Sequence, residues 1–128
     1  MMDFRQLSFS EAPLIKTQPP GQKSQEHLDF QKSSESSAVS YPKGLPMAVQ
    51  RAKGATVEDV DGNVYIDFFG GAGVMNVGHT NPSVIEAAQK QMSDVTHSLD
   101  IPNPARRLLV EILLSVLPGS LIPKIRTA

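Results

Sequence analysis

Side chains that could do acid–base or metal chemistry are few and scattered in this sequence. The three histidines, His27, His79 and His97, share no spacing that would place two of them on one helical face, and no carboxylate stands beside them in a metal-ligand pattern. His79 follows Gly78 directly, and packing or capping of a turn explains it better than catalysis, because a general base needs an orienting partner. The residues alone therefore predict no metal site and no catalytic histidine.

Three aspartates surround one predicted hairpin. Asp61 and Gly62 have the composition of a two-residue β-turn, since both residue types tolerate positive φ. Turn chemistry explains Asp61, and solvation explains Asp59 and Asp67 at least as well as acid–base chemistry does. Pairing across such a turn would place three apolar residues on one face of the hairpin: Val57, Val64 and Ile66.

A run of glycines follows the hairpin directly. Gly70, Gly71 and Gly73 lack Cβ atoms where the backbone must turn sharply or approach something closely. One interpretation is a tight connection to the next helix, and the other is room for a ligand or a neighbouring subunit. The pattern is not a dinucleotide-binding fingerprint, because Asn76 stands where the third glycine of that motif belongs.

Strand and helix signals predict the elements that position these residues. Three short strands are expected at residues 47–51, 56–60 and 64–68, and such a small sheet is marginal alone. Asn81-Pro82 and Asn103-Pro104 each combine an N-cap with a proline suited to the first helical turn. The fold class is therefore α+β: a small antiparallel sheet of about three strands, then two amphipathic helices at about residues 82–93 and 104–117, and a strand-like run at 121–125.

Composition excludes several classes of function. The 128 residues carry a net charge of −1, which gives no electrostatic footprint for nucleic acid or an anionic membrane. There is no cysteine, which excludes disulfides and a thiolate metal site. Neither a secretory signal nor a membrane-spanning run is recognisable, so a cytoplasmic location is expected, without a nucleic-acid or membrane partner.

Residues 11–40, within a predicted N-terminal tail of residues 1–40, are rich in Ser, Gln, Lys and Pro. Such a segment buries too little apolar surface to offset the entropy of ordering, so it predicts a disordered N-terminal tail with at most a short helical turn near residues 27–32. The alternative is an arm that orders against another subunit.

Several strings of residues resemble the N-terminal region of class III aminotransferases, which are pyridoxal-phosphate enzymes of fold type I. They are the stretch from Asp59 to Phe68, the Gly70-Gly71 pair, and Asn76-Val-Gly-His79 ahead of a proline. Within the family, residues 35–42, 45–46 and 96–100 are most similar to diaminobutyrate 2-oxoglutarate transaminases, and the resemblance covers roughly residues 35–121. It implies transfer of the 4-amino group between 2,4-diaminobutyrate and a 2-oxo acid, with pyridoxal 5'-phosphate as cofactor and a homodimeric enzyme.

The resemblance also implies which parts of the site this chain carries. Family members hold the phosphate-binding loop, the Schiff-base lysine and the pyridinium carboxylate further along the chain, and none of the seven lysines here fits the family's lysine context. Residues 41–128 then correspond to an incomplete N-terminal subdomain without the large cofactor domain, and no catalytic residue is expected. Gly70, Gly71 and Ala72 are carried over as lining of the substrate pocket, although ornithine-type relatives have a tyrosine where Ala72 stands.

Two hypotheses remain open from the sequence. The chain is either the N-terminal portion of such an aminotransferase, or a catalytically inactive remnant or interaction module that associates with a full-length subunit.

Overall fold

The computed structural model describes residues 3–119, so the predicted strand at 121–125 lies outside the described part. The chain divides into two compact units, Met1–Ala88 and Gln89–Ala128. Its helices are α1 (Gln22–Ser34), α2 (Pro82–Asp94) and α3 (Pro104–Val116), and its strands are β1 (Val49–Lys53), β2 (Thr56–Asp59) and β3 (Val64–Ile66). Shorter pieces are two 3₁₀ turns, Phe4–Leu7 and Tyr41–Lys43, and one left-handed turn, Gly70–Gly73.

The strands form one antiparallel sheet in the order β1-β2-β3. This confirms the predicted three-stranded sheet, although β1 begins two residues later than expected and ends at Lys53.

The hairpin between β2 and β3 differs from its prediction. Its loop has three residues, 60–62: the Gly62 amide donates to the Asp59 carbonyl over 3.0 Å, and the Asp59 amide donates to the Asn63 carbonyl over 3.0 Å. Within this loop only Gly62 has a positive φ, of 82°. The predicted two-residue turn is therefore wrong, and so is the predicted face. The extra residue shifts the register by one, and Val57 lies opposite Tyr65 while Val64 lies opposite Glu58.

The N-terminal segment has defined structure where composition predicts a disordered tail. Leu14 pairs with Val64 in an antiparallel bridge, with N–O distances of 2.9 and 2.7 Å. The amides of Lys16 and Thr17 both donate to Asn63 Oδ1, over 2.7 and 2.8 Å. Hydrogen bonds from the backbone to the hairpin, rather than apolar burial, thus order this segment, and composition gives no indication of them.

The first turn of helix α1 is hydrogen-bonded to the hairpin loop through Asp61. The Asp61 carboxylate accepts hydrogen bonds from the amides of Lys23 and Ser24, both over 2.9 Å, and so caps a helix that it does not belong to. Hydrogen bonds from Ser24 and Lys23 lower the pKa of Asp61 against the opposing effect of desolvation. The preceding residue must be small, since a Cβ on Gly21 would lie 2.3 Å from Asp61 Cγ.

The centre of the first unit is mostly polar. Among the described residues, the one buried apolar side chain is Val64, which is 1% exposed. Every buried side-chain nitrogen or oxygen in the described part has a hydrogen-bond partner, which is what keeps a polar centre from being costly. The buried polar residues are Ser24, Thr56, Asp59, Asn63 and Asn81.

Both predicted helix starts are confirmed. Asn81 Oδ1 accepts from the Ser83 amide over 3.1 Å, and Asn103 Oδ1 accepts from the Arg106 amide over 2.9 Å. Neither α2 nor α3 contains a buried residue. No helix within residues 3–119 is both long and apolar enough to span a bilayer.

Candidate functional site

The glycine run forms a left-handed turn. Gly70, Gly71, Ala72 and Gly73 have φ values of 58°, 57°, 61° and 81°. Left-handed backbone costs an L-residue about 1–2 kcal/mol, which explains why three of the four residues are glycine. Ala72 bears that cost with its exposed side chain.

Asp67 holds the entrance to this turn. Its Oδ1 accepts hydrogen bonds from the amides of Phe69 and Gly70, both over 2.8 Å, and its Oδ2 lies 2.8 Å from Nε2 of His79. Burial raises the pKa of Asp67, but the hydrogen bonds from His79, Gly70 and Phe69 outweigh it and leave the pKa below its usual value. Asp67 is therefore an ionised carboxylate with three donors, and the interpretation of a merely solvated side chain is wrong.

His79 is itself tied to the sheet side of the unit. Its amide donates to the Gly54 carbonyl over 2.9 Å, and its carbonyl accepts from the Gly54 amide over 2.7 Å. This pairing brings two backbones close together, because a Cβ on Gly78 would lie 2.8 Å from Gly54 Cα. The His79 ring therefore reaches Asp67 from a backbone that is fixed by its bridge to Gly54. Sequence reasoning missed the partner of His79, although both members of the pair flank the same glycine run.

A cleft of about 450 Å³ lies beside the turn. Of the three predicted pocket residues, Gly70 lines this cleft, whereas Gly71 and Ala72 are not among its lining residues. Asp67 is the one charged residue on its wall, and no lysine or arginine of the described part lines it.

A second carboxylate, Asp59, is 1% exposed and lies in the centre of the unit. It accepts from the Asp61 and Asn63 amides over 3.0 and 2.8 Å, from Asn63 Nδ2 over 2.8 Å, and from the Tyr65 hydroxyl over 2.8 Å. Burial, then the bond to Asp59, raises the pKa of Tyr65 to about 12. With four donors satisfied by the protein, Asp59 holds the hairpin together, and solvation does not explain it.

The other two histidines, His27 and His97, are not among the residues that line this cleft. His27 is exposed on α1, and His97 is exposed in the second unit. No group of three or more potential metal ligands occurs within the described ranges.

Comparison with known proteins places the chain in a family. The model of the family Aminotransferase class-III matches residues 37–128, so this chain belongs to the class III aminotransferases. A diaminobutyrate–2-oxoglutarate aminotransferase of Rhizobium meliloti is 39% identical over 97 residues, covering 74% of this chain and 21% of that protein. The chain therefore spans about a fifth of the length of such relatives.

Two further relatives extend the comparison. The crystal structure of an acetylornithine aminotransferase from Elizabethkingia anophelis superposes with a TM-score of 0.65 at 25% identity, over 73% of this chain and 23% of the other. This likeness agrees with the predicted fold type I architecture. An alanine/serine racemase of Pyrococcus horikoshii is 35% identical over 94 residues, covering 73% of this chain and 20% of that protein. Proteins named for two different reactions are thus similar to this chain.

The residues that line this cleft do not themselves fit the cofactor of this family. Pyridoxal phosphate requires an amine for its imine and donors for its phosphate. The cleft wall has no lysine, and the amides of Phe69 and Gly70 already donate to Asp67. A phosphate in this cleft would face a carboxylate and would lack a cation.

Proposed function

We propose that the chain is the N-terminal portion of a pyridoxal-phosphate-dependent aminotransferase that transfers the 4-amino group between L-2,4-diaminobutyrate and a 2-oxo acid, 2-oxoglutarate or glutamate. The observation that carries the proposal is the 39% identity to a diaminobutyrate–2-oxoglutarate aminotransferase over 97 residues. Residues 41–128 would supply the N-terminal subdomain, in a cytoplasmic homodimer.

In this proposal the cofactor is bound by residues outside 3–119, and this chain contributes to the substrate side. Gly70, Gly71 and Ala72 would line the pocket at the left-handed turn. The small side chain of Ala72, where ornithine-type relatives have a tyrosine, is compatible with a differently shaped site for a diamino acid.

A second candidate function is an inactive module that associates with a full-length subunit. It is favoured by the apolar side chains that α3 exposes, since contiguous exposed apolar surface is typical of interaction sites. They are Leu108, Leu109, Ile112 and Val116, each at least 50% exposed.

A chimera tests the first candidate. The chain replaces the homologous N-terminal fifth of the Rhizobium meliloti relative, and a parallel chimera carries the same segment in the Elizabethkingia anophelis enzyme. Amino transfer from 2,4-diaminobutyrate to 2-oxoglutarate is measured after cofactor loading has been verified by the visible imine absorbance.

We expect the first chimera to bind the cofactor and to catalyse amino transfer, and the isolated 128-residue chain to do neither. A cofactor-loaded chimera without amino transfer would contradict the aminotransferase proposal and favour the inactive module. Turnover by the isolated chain would contradict the expectation that the cofactor site lies elsewhere.

A further inference from the structure

We infer that His79 and Asp67 form a positioning pair that fixes the left-handed turn Gly70–Gly73 against the sheet and so sets the shape of the cleft wall. This inference rests on the proposed function for its relevance to substrate, because the turn is the proposed substrate-side wall. The contacts of the pair themselves are independent of that function.

The pair connects the turn to the backbone of His79, which is itself hydrogen-bonded to Gly54. The antiparallel bridge between His79 and Gly54 anchors the imidazole at one end, with N–O distances of 2.7 and 2.9 Å. At the other end, Asp67 Oδ2 forms a hydrogen bond with the His79 ring nitrogen, and Asp67 Oδ1 accepts hydrogen bonds from the amides of Phe69 and Gly70. Because Asp67 is ionised, it accepts only, and Nε2 of His79 must carry the proton that joins them.

Apart from the Asp67 amide, which donates to the Ala55 carbonyl over 2.9 Å just before the turn, the turn has few other attachments. The bonds that define it, from the Gly73 amide to the Phe69 carbonyl and from the Met75 amide to the Gly70 carbonyl, lie within the turn and its immediate flanks. A Cβ built on Gly70 or Gly73 would meet nothing within 4 Å, so packing does not hold these residues. The ring of Phe69 does contact Tyr41 edge-on, with centroids 5.5 Å apart, but both side chains are about half exposed or more.

The same geometry argues against a role for the pair as acid or base. Asp67 is 11% exposed at its side chain and His79 is 21% exposed, and the carboxylate has three donors. A carboxylate that accepts three hydrogen bonds is a poor proton acceptor, because these bonds stabilise its charged form. Asp67 lines the cleft, yet its lone pairs are engaged with the protein. Its contribution is therefore to hold the turn in place.

The test is amide hydrogen exchange, followed by NMR, in the full 128-residue chain. In His79→Ala we expect the amides of Phe69 and Gly70 to exchange roughly tenfold faster, which corresponds to the loss of one hydrogen bond to a charged group. In His79→Gln, whose amide nitrogen can reach the same oxygen, we expect exchange within about threefold of the original chain. The matched control His97→Ala, at an exposed position in the second unit, should change neither amide.

Three results would overturn the inference. Unchanged exchange at Phe69 and Gly70 in His79→Ala would show that the turn does not depend on the ring. Equal acceleration at Asn63 and Val64 in the hairpin would show a general loss of the fold instead of local positioning. Failure of His79→Gln to restore protection would show that the hydrogen bond to Asp67 is not the operative contact. None of these results depends on cofactor binding, so they are distinguishable from failure of the chimera.

Discussion

The hairpin and helix α3 differ in which side chains they bury: the hairpin buries polar residues that are hydrogen-bonded, whereas α3 leaves its apolar residues exposed. Around the hairpin, Asp59 and Asn63 are at most 1% exposed, and their polar atoms are satisfied by backbone amides, by Tyr65 and by the N-terminal segment. Helix α3 has the stronger apolar pattern, but no residue in it is buried. Its Leu108 is 57% exposed and its Val116 is 70% exposed.

The hairpin therefore needs no further contact to satisfy its buried polar groups, whereas the apolar face of α3 is not buried by the described part of the chain. A polar centre with all its hydrogen bonds made needs no further partner, whereas an amphipathic helix gains most of its stability from burial of its apolar face. Since the chain spans about a fifth of its relatives' length, the first candidate function would place the remainder of an aminotransferase on the apolar face of α3, whereas the second would place a full-length subunit there.

The largest effect should follow loss of the central carboxylate. Asp59→Ala leaves up to four buried or half-buried donors without an acceptor, and we expect it to lower the free energy of unfolding of the first unit by about 4 kcal/mol. Urea titration followed by NMR at Val64 measures this change. The control Asp100→Ala, at an exposed position in the second unit, should stay within about 0.5 kcal/mol. Equal effects of the two variants would remove the distinction between the regions.

A glycine series sharpens the role of the N-terminal segment. A Cβ on Gly54 would lie 1.7 Å from the Leu7 carbonyl oxygen, at a φ of 53°, so Gly54→Ala should cost about 3 kcal/mol. Gly73→Ala meets open space but has a φ of 81°, and should cost about 1 kcal/mol. Gly44→Ala has neither problem and should be nearly neutral. The same urea titration ranks them, and a neutral Gly54→Ala would show that the Leu7 carbonyl does not lie this close to Gly54.

A pair of valines compares the two regions with the same chemistry. Val64→Ala removes buried apolar atoms and should cost about 2 kcal/mol. Val116→Ala, at 70% exposure, should change the free energy of unfolding by less than about 0.5 kcal/mol. Amide exchange at β3 and α3 reports both variants in the monomeric chain. A larger loss for Val116→Ala would mean that the isolated chain already covers the face of α3.

The smallest effect at neutral pH concerns Tyr65, whose pKa is raised from 10.0 to about 12. A raised pKa in the folded state means that the neutral phenol contributes stability that is complete below pH 10 and is lost as the pH rises towards 12. Ultraviolet titration of the phenolate in a Tyr41→Phe background isolates the Tyr65 signal. Adding Asp59→Asn should bring the pKa down towards its ordinary value, and an unchanged titration would contradict the bond between the two side chains.

Local signals predicted much of this fold. The helix starts at Asn81-Pro82 and Asn103-Pro104 follow from caps that act within three residues, and the three strands follow from short β-rich runs bounded by turns. The hairpin register was missed because its loop length is stabilised by the Asp59 side chain, which accepts from Asp61 and Asn63.

Contacts distant in sequence account for the remaining differences. The N-terminal segment is held by Asn63 and Asp61, which lie 37 to 47 residues further along the chain. The Asp67–His79 pair spans 12 residues and depends on the bridge from His79 to Gly54. No local propensity encodes such pairs, and the pocket lining at Gly70, Gly71 and Ala72 stays a prediction.

The most direct test of the central claim compares amide exchange in two settings: the monomeric 128-residue chain, and the same residues within the Rhizobium meliloti chimera. We predict that amides of the hairpin, such as Asn63 and Val64, are equally protected in both, and that amides of α3 from Leu108 to Val116 are protected only in the chimera. Protection of α3 in the monomeric chain equal to that of the hairpin would contradict the claim that its apolar face is covered by the rest of an aminotransferase.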